Sequence, residues 1–162
     1  MKIFITGTAG FIGFNLGKSL LEKNHTIHGY DGITNYYDVK LKKNRNKILK
    51  EYKKFSFTKG MLENKNLLNK TIAKFKPEII IHLAAQAGVR YSIEKPRTYL
   101  LSNIIGTHNI IELAHKAKVK HLMIASSSSV YGANKKIPYN ENDSVKLQMS
   151  IYASTKLATE SM

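Results

Sequence analysis

The stretch Lys2-Ile3-Phe4-Ile5-Thr6-Gly7-Thr8-Ala9-Gly10-Phe11-Ile12-Gly13 decides how this 162-residue chain is read. Residues 2–6 form a short apolar run of the kind a buried strand needs. From Phe11 to Lys23, apolar residues stand at 11, 12, 14, 16, 20 and 21, which is a helical stripe. Between the two lie glycines spaced Gly-x-x-Gly-x-x-Gly. Glycine permits a tight turn there and lets backbone N–H groups approach a pyrophosphate at the helix N-terminus. A glycine triplet alone also fits a merely structural turn. Its strand–turn–helix setting is what points to a dinucleotide.

Moving outward, residues 25–30 read as a second strand, followed at once by Asp31. A carboxylate about 20 residues beyond such glycines can accept hydrogen bonds from an adenosine ribose and repels a 2′-phosphate, which favours NAD over NADP. Helices are expected over 39–52, 66–75 and 97–118, and strands over 55–58, 78–83 and 121–125. A polar loop, 126–150, precedes a final helix. Strands alternating with helices predict an α/β fold, a doubly wound parallel sheet of the Rossmann type, as one dinucleotide-binding domain over 1–162. Small residues at Leu83-Ala84-Ala85 leave room for a cofactor at a strand end. Arg90 either meets an anionic group or is a surface arginine. Tyr152 and Lys156 are four apart and share one helix face, where a lysine can lower a phenol's pKa. The serine run 126–129 supplies hydroxyls that can bond a substrate oxygen.

The net charge is +15, much of it between Lys40 and Lys59. Nucleic acid or an anionic surface is one reading, but no stacking-aromatic module accompanies the lysines, and a solvated helix face is favoured. No apolar run reaches the roughly 18 residues of a membrane span. The N-terminal apolar run is too short for a signal peptide. Cysteine is absent, which removes thiolate zinc sites and disulfides and suits a reducing cytoplasm. The six histidines are scattered, so no metal site is expected, and His82 reads as a satisfied core histidine.

Together, residues 6–13 (TGTAGFIG), Asp31, 82–92 (HLAAQAGVRYS), Asn103 with 106–112 (GTHNIIE), 126–132 (SSSSVYG) and 152–156 (YASTK) resemble the extended short-chain dehydrogenase/reductases, in particular nucleotide-sugar epimerases. Tyr36-Tyr37-Asp38, AAQAGVRYS and SSSSVYG are most similar to the UDP-glucuronate 4-epimerases. The resemblance covers essentially the whole chain but only the N-terminal half of a family member. The C-terminal substrate domain is therefore expected to be absent. A homodimer, or a partner supplying that half, is expected to cover the exposed sheet edge.

The resemblance implies NAD as cofactor and a UDP-sugar as substrate. It implies Tyr152 as base, Lys156 as its partner and ribose ligand, and Ser127 as the hydroxyl on the sugar O4. Cofactor contacts are implied at Gly7, Gly10, Phe11, Ile12, Gly13, Asp31, Leu83, Ala84, Ala85, Tyr152 and Lys156, and substrate contacts at Gln86, Arg90, Ser127 and Ser128. The implied reaction is C4 epimerisation through a 4-keto sugar. Another UDP-sugar 4-epimerase, a decarboxylase, a non-catalytic dinucleotide-binding module and half of a split enzyme are the alternatives. Two positions depart from the family pattern. Sugar 4,6-dehydratases carry an Asp-Glu pair where this chain has Ser128 and Ser129, which disfavours dehydration. Met61 stands where an aspartate usually meets the adenine, which is expected to weaken cofactor binding.

Overall fold

The computed structural model describes residues Met1–Met162. Five parallel strands form one sheet in the order β3-β2-β1-β4-β5. The strands are β1 (Lys2–Thr6), β2 (Thr26–Asp31), β3 (Phe55–Lys59), β4 (Ile79–His82) and β5 (His121–Ile124). The glycine stretch therefore leaves the central strand, as a doubly wound sheet requires. The strand order reverses beside β1, between β2 and β4, and this is where such sheets bind ligands.

Side-chain alternation along β1 builds both core layers. Ile3 and Ile5 point to one face. There they pack with Ile27, Ile81 and residues of α1 (Phe11–Glu22) and α2 (Val39–Lys50). Phe4 points to the other face, with Tyr30, Ile80 and residues of α3 (Lys65–Phe75) and the later helix α6 (Gly106–Lys116). Continuous apolar runs in β1 and β4 follow from burial on both sides.

Most element boundaries fall within two residues of those expected, and three departures have physical reasons. A short helix α4 (Val89–Glu94) forms between β4 and the helix expected over 97–118, where no element is expected. Its six residues are too few to display a periodicity. The single helix expected over 97–118 is instead a composite of α5 (Pro96–Tyr99), a wide π-helical segment (Leu100–Ile105) and α6. Hydrophobic periodicity cannot register one inserted residue per turn. The loop 126–150 contains a 3₁₀ turn at Ser128–Tyr131, whose Ser127 cap accepts a hydrogen bond from the Ser129 N–H at 3.2 Å. The last helix, α7 (Ile151–Ser161), starts at a Ser150 cap whose hydroxyl accepts from the Ala153 N–H at 3.0 Å.

Candidate active site

The glycine loop is tied into the sheet from two sides. Gly7 has φ of +80° and donates its N–H to the Tyr30 carbonyl at 2.8 Å. A Cβ on Gly7 would stand 2.9 Å from the Ala84 nitrogen, so only glycine lets the turn lie against the end of β4. A Cβ on Gly13 would collide with the Gly7 carbonyl, which closes the turn from the helix side. Asp31, at the end of β2, accepts from the Ala9 N–H at 3.0 Å and from the Ile33 N–H at 2.7 Å. Each carboxylate oxygen keeps a further lone pair for a ligand hydroxyl.

These elements line a cleft over the C-terminal ends of the central strands. Gly7, Gly10, Asp31, Leu83, Ala84, Ala85 and Gln86 lie on its wall, and Asp31 is its one carboxylate. Gly13 is buried beneath the loop, while Phe11 and Ile12 are exposed at the start of α1 and lie off the wall. Arg90 is exposed on α4, and Ser128 is exposed at the 3₁₀ turn. Met61 lines the cleft and is 37% exposed. The glycine cradle, the carboxylate and the small residues at 84 and 85 together fit a dinucleotide.

Sequence reasoning missed Lys42. It stood among the lysines of a solvated helix, yet it is buried and faces the cleft. Its ammonium donates to the Thr34 carbonyl at 2.8 Å and sits 4.0 Å from the Tyr37 ring centroid. Burial holds its pKa below the usual lysine value; the Asp31 carboxylate works against that and the Arg45 guanidinium adds to it. The signal was available: Lys42, Asn46 and Leu49 are spaced i, i+4, i+7 and form the buried stripe of α2.

The second half of the site is α7. Lys156 is buried, and its Nζ donates to the Ala125 carbonyl just past β5 at 2.7 Å. Burial holds its pKa below the usual lysine value. Tyr152, one turn earlier, is half-buried, with its ring edge-on to Tyr99 at 6.1 Å. Ser127, two residues beyond Ala125, is half-buried at the head of the 3₁₀ turn, against which α7 packs.

Asn103, in the π-helical segment, joins the two halves. It donates to the Gln86 carbonyl at 3.0 Å and accepts from the Gln86 N–H at 2.8 Å. Its second N–H reaches Thr155 Oγ1 at 3.0 Å, and Thr155 donates to the Tyr152 carbonyl at 2.8 Å. The cleft wall at Gln86 and the helix bearing Tyr152 are thus pinned through one buried amide.

A family model described as GDP-mannose 4,6 dehydratase matches residues 4–162. The chain belongs to that family. Over all 162 residues it is 49% identical to a Rhizobium meliloti (strain 1021) protein named probable UDP-glucuronate 4-epimerase, of which it covers 48%. It is 38% identical to UDP-glucuronate 4-epimerase 1 of Arabidopsis thaliana, over 99% of this chain and 37% of that one. The crystal structure of UDP-glucuronic acid 4-epimerase from Bacillus cereus, in complex with UDP-glucuronic acid and NAD, matches with a TM-score of 0.90 at 31% identity. That match covers 99% of this chain and 50% of the other. The chain spans about half the length, or less, of the curated relatives it matches. Within the GDP-mannose 4,6 dehydratase family it carries serines, not carboxylates, at 128 and 129.

Proposed function

We propose that this chain is the NAD-binding, catalytic-residue-bearing part of a nucleotide-sugar 4-epimerase that interconverts UDP-glucuronate and UDP-galacturonate. The observation that carries this reading is the seating of Tyr152 and Lys156. Their helix is anchored at the end of β5 beside Ser127 and linked through Asn103 to a dinucleotide-shaped cleft. In this reading Asp31 accepts the adenosine ribose hydroxyls, and the glycine loop receives the pyrophosphate. Bound NAD would supply reversible hydride transfer at the sugar C4.

The chain's own residues manage the proton. Ser127 bonds the sugar O4 and holds it against Tyr152. Tyr152 takes the O4 proton as the carbonyl forms and returns it as the hydroxyl is restored, with Lys156 one turn further along the same helix as its partner. Gln86, Arg90 and Ser128 stand on the substrate side. A 4,6-dehydration also needs groups that move protons at C5 and C6. The hydroxyls of Ser128 and Ser129 do not supply that chemistry, so epimerisation is favoured within this family.

Two measurements test the reading separately. Titration with NADH, followed by nicotinamide fluorescence, is expected to saturate; no binding at millimolar NADH removes the cofactor leg. Incubation with UDP-glucuronate and NAD, resolved by chromatography, is expected to yield UDP-galacturonate. Cofactor binding without turnover would favour a dinucleotide-binding module or half of a split enzyme. Tyr152→Phe keeps the ring against Tyr99. It is expected to leave NADH binding within about twofold while lowering turnover about 10²–10⁴-fold.

A further inference from the structure

A second groove, of about 440 Å³, opens between α3 and the outer strands β2 and β3, away from the cofactor cleft. His28, Ser56 and Thr58 form its floor, Lys70, Thr71 and Lys74 its wall, and Lys2 and Phe75 one end. No carboxylate lines it. Lys70 and Lys74 stand i, i+4 on one helix face, and neither is ion-paired. Like charges at that spacing repel, and a bound anion would relieve the repulsion.

The floor is built for proton exchange. His28 is buried and stacks on Phe4 at 5.4 Å with an interplanar angle of 6°. Its two ring nitrogens meet Ser56 Oγ at 2.7 Å and Thr58 Oγ1 at 3.0 Å. A neutral imidazole has one N–H. It donates to one hydroxyl and accepts from the other, whichever tautomer is present. One hydroxyl proton is thus turned toward the ring, and one is free for the groove. If both hydroxyls donate outward to one ligand, both ring nitrogens must donate, and His28 must take up a proton.

We propose that this groove is a binding site for a phosphate-class oxyanion, either free phosphate or the phosphoryl group of a small metabolite. The oxyanion is held by Lys70, Lys74 and the Ser56 and Thr58 hydroxyls, and its binding takes up a proton on His28. The charged groups lining the groove around the imidazole are all cationic, Lys70 and Lys74 from α3 and Lys2 from β1, while β3 contributes the Ser56 and Thr58 hydroxyls and Phe57. Burial and then the Lys74 charge hold the His28 pKa down at about 4. An oxyanion reverses the sign of the local field and raises it.

The full 162-residue chain is titrated with sodium phosphate at constant ionic strength, following the His28 C2–H proton resonance. At pH 5 a saturable shift is expected, with the His28 titration midpoint moving up by about one pH unit or more at saturation, so that phosphate binding there protonates the ring. The double variant K70Q/K74Q is expected to weaken the response at least tenfold while leaving NADH binding unchanged; both side chains are exposed, so the fold is retained. Uridine 5′-monophosphate in a parallel titration separates the sources. Equal affinity points to free phosphate, and tighter binding to a phosphoryl metabolite. Absence of a saturable shift, the same shift with chloride, or unchanged binding in K70Q/K74Q overturns the proposal.

Discussion

Met61 shows how one side chain can set the strength of a site whose frame is otherwise complete. It lines the cleft, and its carbonyl accepts the Tyr30 hydroxyl at 3.1 Å. Its sulfur occupies the space that a Cβ on Gly32 would need. A thioether offers the edge of an adenine only a weak acceptor. Replacing it with aspartate supplies a charged acceptor at the same backbone position, and one charge-assisted hydrogen bond is worth about 1.5–3 kcal/mol. Met61→Asp is therefore expected to tighten NADH binding roughly tenfold, read by fluorescence titration. Unchanged or weaker binding would mean that residue 61 does not meet the adenine. The glycine turn, Asp31 and the strand end at 83–86 could be anticipated from motif spacing, because a glycine turn and a strand-end aspartate announce their own backbone geometry. Lys42 could not be separated from its neighbours by charge, since burial depends on helix phase and not on residue type.

Helices and strands were legible wherever a period was long enough to count. β1 and β4 read as strands because burial on both faces leaves them apolar throughout, and α1 read as a helix from its stripe. The π-helical segment Leu100–Ile105 was not legible, because its inserted residue leaves the apolar pattern on either side intact. Yet that segment turns Asn103 inward and joins the cleft wall to α7. Gly106 continues it; a Cβ there would stand 2.5 Å from the Leu62 Cβ, so the helix is seated closely on the end of the β3–α3 connection. Asn103→Ala would leave the Gln86 amide group and the Thr155 hydroxyl short of partners in a buried place. Each unsatisfied polar group costs about 1–3 kcal/mol. A loss of roughly 2–4 kcal/mol in unfolding free energy is expected by urea denaturation. NADH binding should weaken with it, as Gln86 and the cleft wall loosen. A loss below about 0.5 kcal/mol would show that the amide is dispensable to the junction.

The sheet, the cleft and the helix layer meet at His82, and its protonation state couples them. Thr6 Oγ1 accepts hydrogen bonds from the Leu83 N–H at 3.1 Å and the Ala84 N–H at 3.0 Å. With both lone pairs engaged, its hydroxyl proton points to His82 Nδ1 at 2.7 Å. The ring is therefore neutral, and Nε2–H donates to Thr107 Oγ1 on α6 at 3.0 Å. A second ring proton would confront the Thr6 hydroxyl and break the contact that shapes the cleft floor at Leu83 and Ala84. Burial, then the nearby Lys156 charge, depress the His82 pKa to about 3. Its unfolded value is near 6.5, as it is for His28, which is held at about 4. Between those values the unfolded chain binds protons that the folded chain refuses. Stability from both histidines is thus fully present above about pH 6.5 and is lost as pH falls toward 3–4. The thermal midpoint should fall steadily from pH 7 to pH 4 at fixed ionic strength. His82→Gln, which can donate and accept but does not titrate there, should lower the midpoint at pH 7 and flatten its slope with pH. A slope identical to that of the unmodified chain would show that the acid sensitivity arises elsewhere.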